Sequence, residues 1–188
     1  RPKNVSTYPC RAAAAFVAAL LVLTGGAEWE RRSAFAVGGE PLHVRLDGIS
    51  ALFLALVSVV GAAGAAYARE YWADEQYPVS APRGRRWWSG LLLSLGVVLL
   101  SSNGLHFLIG WELFTVCAYF LITLDRGRRE VRAAGWLYLA ASHAGTICLF
   151  AFFAAIAADT GSWDLGPMHD RAALAPVFWL ALIGFGVK

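Results

Sequence analysis

Apolar residues run along this chain in long unbroken stretches, separated by short polar segments rich in arginine. Six such stretches predict six helices, at about residues 12–27, 49–68, 87–102, 105–124, 133–158 and 172–188. A helix needs about 20 apolar residues to cross a bilayer, with about 17 to 25 as the range. The runs lack a period of two, which favours helices over barrel strands. The expected fold class is all-α, a polytopic transmembrane bundle of about six helices. Residues 1–11 read as an N-terminal cytoplasmic tail and residues 12–188 as the transmembrane domain. The first stretch also fits a signal peptide, because Arg1, Lys3 and Arg11 precede a short apolar core.

Local signals refine the elements. Asp47 stands just before the second stretch, where a carboxylate caps free N–H groups. Asn103-Gly104 breaks the third stretch from the fourth and predicts a tight helical hairpin. Gly61, Ala62, Gly64 and Ala65 give the second helix a small-residue face for close approach to neighbours. No strand precedes these glycines and no lysine follows, so a phosphate-binding loop is a poor reading.

Composition narrows the function classes. Of 188 residues, 58% are hydrophobic and 15% charged, against about 25% charged in an ordinary soluble domain. Disordered tails, disulfide-rich modules and most soluble enzymes are excluded. The net charge of +3 is too small to argue for nucleic acid. Cys10, Cys117 and Cys148 stand alone without a CxxC pair, so no zinc or iron–sulfur site is expected. No cofactor, metal or catalytic residue of its own is expected either. Alternation of six spans puts eleven Lys and Arg on the side of the N-terminus, Arg69 and Arg126. The other side holds Arg31, Arg32, Arg45 and Arg171, so the N-terminus is expected to be cytoplasmic.

The candidate chemistry lies in the charges that interrupt apolar stretches. Glu112 sits well inside the fourth, with Thr115 and Tyr119 at i+3 and i+7 on its face and Trp111 beside it. Lys188 closes the sixth, after Gly184 and Gly186, and His143 lies in the fifth with Thr146. A charge at mid-span costs about 2.5–3.5 kcal/mol on insertion scales, so it marks a functional candidate. Plainer readings stand beside these. Glu112 and His143 also suit structural hydrogen bonds between helices, and Lys188 also suits snorkelling from a helix end. Asp47 reads as a cap and His106 as structural, while His43 and His169 fall in loops and carry no signal.

The order of these features resembles the antiporter-like, proton-translocating membrane subunits of respiratory complex I and related hydrogenases. Four stretches carry the resemblance. They are Leu46-Asp47-Gly48-Ile49-Ser50-Ala51-Leu52-Phe53, Asn103 through Trp111-Glu112-Leu113 to Tyr119-Phe120-Leu121, Tyr138 to Thr146, and Gly184-Phe185-Gly186-Val187-Lys188. The wording is similar to hydrogenase-4 component B, formate hydrogenlyase subunit 3 and the M subunit of NADH-quinone oxidoreductase. It implies that Glu112 is the entry-side proton carrier and Lys188 the lysine that takes up and releases the proton. His143 matches a further protonatable position. Proton transfer is then expected through Glu112, Lys188 and His143, supported by Thr115, Tyr119 and Thr146. Glu112 and Lys188 are expected to form one coupled pair; about 4 Å apart, they would interact by roughly 4 kcal/mol at a dielectric of about 20.

The resemblance further implies partner subunits, membrane and peripheral, of a hydrogenase or quinone reductase in the bacterial inner membrane, which supply the redox energy. Family members have about fourteen helices in two inverted repeats. This chain reaches the lysine of the first repeat, and so reads as a fragment or truncated product. Ala118 stands where the family often has Ser. Two rivals share the same residues: a member of a multisubunit Na+/H+ antiporter and a truncated scaffold that transports nothing.

Overall fold

The structure is a computed structural model, and it describes residues 8–26, 28–166 and 174–188. The chain runs α1 (Tyr8–Gly25), β1 (Trp29–Val37), β2 (Glu40–Leu46), α2 (Gly48–Tyr71), α3 (Ser80–Leu100), α4 (Gly104–Ile122), α5 (Arg129–Thr160) and α6 (Val177–Val187). Among the described residues, three helices are long and apolar enough to cross a membrane: α2, α4 and α5. The outward faces of α2 and α5 carry Ile49, Leu137 and Ile147, each at least 70% exposed. So large an apolar surface is a liability in water and an asset in lipid. The chain is a multi-pass membrane protein.

Several boundaries differ from the sequence pattern. The first turn of α1 lies within the expected tail. Helix α3 starts seven residues before the expected span, because Arg83, Arg85 and Arg86 occupy its first turns. Helix α6 has 11 residues, and the expected start of the sixth span lies outside the described residues, as does His169.

The all-α expectation needs correction, for the link between α1 and α2 is an antiparallel β-hairpin. Gly38 and Gly39 make its turn at φ 66° and 86°, the left-handed region that glycine adopts freely. Leu42, Val44 and Leu46 alternate with His43 and Arg45 along β2, which gives the hairpin one apolar and one polar face. The turn rests on the first turn of α4, where a Cβ at Gly38 would lie 2.6 Å from Leu105.

His43, expected to carry no signal, is 6% exposed. Its Nε2 lies 2.6 Å from Glu30 and its Nδ1 3.1 Å from Asp164, which also pairs with Arg32 at 2.8 Å. Partial burial pushes the Asp164 pKa up. His43, Arg32 and Asn103 together outweigh that and hold it below the ordinary carboxylate value. This cluster ties the hairpin to the segment after α5.

The helix ends follow the sequence signals. Asp47 accepts from the Ser50 amide at 2.8 Å and caps α2. Asn103, fully buried, accepts from the amides of Leu105 and His106 and caps α4. Helices α3 and α4 then form the expected hairpin, with Val97 and Val98 packed on Gly110. Leu92 lies against Gly61, and Trp88 against Gly64, where α2 meets α3. Gly145 and Gly184 bring the backbones of α5 and α6 together: a Cβ on either would sit 3.0 Å from the other's carbonyl oxygen. Small residues thus set the helix spacing.

Candidate functional site

Helix α4 is the spine of the site. Glu112 is its ninth residue, about 12 Å from the capped end at about 1.5 Å per residue. Its Oε2 lies 3.4 Å from His143 Nε2 on α5. The other oxygen, Oε1, is buried without a hydrogen-bond partner. His143 Nδ1 lies 2.9 Å from the Leu139 carbonyl, which can only accept, so Nδ1 carries a hydrogen. Nε2 is then the nitrogen that faces Glu112. Tyr138, one turn before Ser142 on α5, interacts electrostatically with Glu112 as well.

Lys188 reaches the same face of α4 from α6. Gly184, four residues earlier, sits against α5, and that spacing turns Lys188 toward the bundle. Its Nζ bonds the Thr115 hydroxyl and lies 5.0 Å from the centroid of the Trp111 ring. Thr115 is fully buried and donates its own hydrogen to the Trp111 carbonyl at 3.0 Å, leaving its lone pairs for the ammonium. The T-shaped contact of Phe185 with Trp111, at 5.7 Å, steadies this end of α6.

The structure therefore brings Glu112, His143, Lys188 and Thr115 around α4. Glu112 pairs with His143, and no ion pair within 4.0 Å joins it to Lys188. Lys188 docks one helical turn further along, and the two charges interact through space. Tyr119 lies elsewhere, beside Gly135 of α5 and 5.8 Å from the Arg126 guanidinium. Thr146 donates to the Ser142 carbonyl of its own helix at 3.1 Å. Sequence reasoning missed Tyr138 and Ser142 as site neighbours, although their spacing of four puts both on one face of α5. Among the described residues, no group of three or more His, Cys, Asp or Glu could hold a metal ion.

No protein-family model matches the sequence. Relatives do. An uncharacterized protein of Mycobacterium tuberculosis (strain ATCC 25618 / H37Rv) is 30% identical over 153 residues, 78% of this chain and 23% of the relative. Hydrogenase-4 component B of Escherichia coli (strain K12) is 25% identical over 152 residues, 78% of this chain and 22% of the relative. Over most of its length the chain is similar to antiporter-like membrane subunits. A further similar protein is a probable K(+)/H(+) antiporter component of Rhizobium meliloti (strain 1021), 30% identical over 122 residues, 65% of this chain and 12% of that protein.

The fold agrees. The structure of the Mrp complex from Dietzia sp. DQ12-45-1b matches 98% of this antiporter-like chain and 35% of its own, with a TM-score of 0.76 and 20% identity. The chain thus spans less than a quarter of the length of the curated relatives it matches.

Proposed function

We propose that this chain is a membrane subunit of a redox-driven proton-translocating complex, of the hydrogenase-4, formate hydrogenlyase or NADH-quinone oxidoreductase type. One observation carries the proposal: three ionisable side chains from three helices converge on the middle of α4 in apolar surroundings. Glu112 and His143 share a proton site, and Lys188 waits one turn away on the Thr115 hydroxyl. A proton moving between them crosses part of the bilayer, and partner subunits of the complex supply the energy. In the assembled full-length protein, Glu112→Gln is expected to lower proton translocation about tenfold or more while assembly persists. Translocation at the parental rate would sink the role of Glu112.

The similarity to a probable K(+)/H(+) antiporter component favours a second reading, ion-gradient-driven exchange through the same residues. Cation-dependent proton movement in vesicles without redox substrate separates the two. The reading includes six spans in a bacterial inner membrane with a cytoplasmic N-terminus, which the arginine distribution supports. In a chain with its cysteines replaced, Gln76→Cys should label from the cytoplasmic side and Phe35→Cys from the opposite side. Labelling of both from one side would reject that topology.

A further inference from the structure

A groove of about 920 Å³ lies between α1, α2 and α3, with Trp29 and Leu42 of the hairpin at one end. None of Glu112, His143 and Lys188 lines it. Its walls are Leu, Val, Ala and Gly, with three serines among them. Each serine hydroxyl already commits its hydrogen to its own helix. Ser58 donates to the Leu54 carbonyl at 2.7 Å, Ser89 to Arg85 at 2.8 Å and Ser101 to Val97 at 2.6 Å. The groove therefore offers an occupant shape and apolar contact, without a polar anchor along its length.

Its dimensions match one kind of occupant. Along α3 the lining runs from Ser89 to Ser101, about 18 Å at about 1.5 Å per residue. One leaflet contributes half of a hydrocarbon core about 30 Å thick, so the groove is about as long as a single acyl chain.

Charge lies on α3 one turn before the first lining residue, Ser89. Arg85 gives both its terminal nitrogens to Asp74, at 2.6 and 2.9 Å. Its neighbour Arg86 is exposed, and it makes no hydrogen bond or ion pair among the described residues. Arg86 precedes Leu93, Val97 and Leu100 by 7, 11 and 14 residues, so it lies on the groove face of α3. It sits one turn beyond Ser89, level with Trp87 and Trp88, residues of the kind that gather at a membrane interface. Arg129, also exposed, opens α5, which contributes no residue to the groove.

We propose that this groove seats one acyl chain of an anionic phospholipid whose phosphate pairs with Arg86. The inference rests on the multi-pass membrane reading, and the unused guanidinium is what selects an anionic lipid over a neutral lipid or an apolar partner helix.

The test uses the full chain in nanodiscs of phosphatidylcholine with or without phosphatidylglycerol, followed by native mass spectrometry. One retained phosphatidylglycerol per chain is expected. Arg86→Gln should weaken its retention about fivefold, the effect of one cation near the surface, and Arg129→Gln should leave it unchanged. At Gly96, which lines the groove, an added Cβ meets nothing within 4 Å. Gly96→Phe should therefore fill the groove and displace the lipid, which tests the site even if the Arg86 variant fails to fold. Equal retention of both lipids, equal weakening by the two arginine variants, retention in Gly96→Phe, or a mass of two chains without lipid would each overturn the proposal. Proton flux in vesicles of the same composition reports on Glu112 separately, since none of these three residues belongs to that site.

Discussion

At the residue scale, function turns on what each charged group touches. Lys188 keeps its ammonium beside α4 because Thr115 presents a hydroxyl whose hydrogen is committed to the Trp111 carbonyl. Thr115→Val preserves the shape and removes the acceptor. A hydrogen bond to a charged group contributes about 1.5–3 kcal/mol, so proton translocation should fall about tenfold with assembly intact, and Thr115→Ser should restore it. Translocation that is indifferent to the hydroxyl would remove Thr115 from the path. Glu112 was legible in the sequence because a carboxylate inside an apolar run stands out. Its partner was not. Its contact with His143 is set by the packing of α4 on α5, which one sequence does not reveal. His43 was illegible for a similar reason, since both carboxylates that hold it are brought in by the hairpin and by the segment after α5.

At the element scale, glycine contacts set the helix crossings, and one of them aims the lysine. A Cβ at Gly184 would lie 2.6 Å from Leu149 and 3.0 Å from the Gly145 carbonyl oxygen, while one at Gly186 meets nothing within 4 Å. Gly184→Leu should overpack this crossing, destabilise the protein by about 1–3 kcal/mol and withdraw Lys188 from Trp111. Gly186→Ala is the control and should leave thermal stability and flux near parental. Equal effects of the two would show that the α5–α6 crossing does not position Lys188. Helix positions were largely readable from the apolar runs and the Asp47 and Asn103 caps. The hairpin was not, because its strands are half charged and resemble a solvated loop. The signal present was Gly38-Gly39 between alternating residues such as Leu42, His43, Val44, Arg45 and Leu46.

At the scale of the whole molecule, the chain turns a soluble protein inside out, with many of its large apolar residues outside. Such a body has little reason to bury Glu112 unless the cost returns as function. The central claim is that Glu112 and His143 act as one proton site. A double-mutant cycle on proton flux in the assembled full-length protein tests it most directly, with Glu112→Gln, His143→Gln and the two combined. The account predicts that the double variant is about as slow as Glu112→Gln alone, because the second change removes a partner already lost. Losses that multiply would mean that the two residues work independently and would contradict the account.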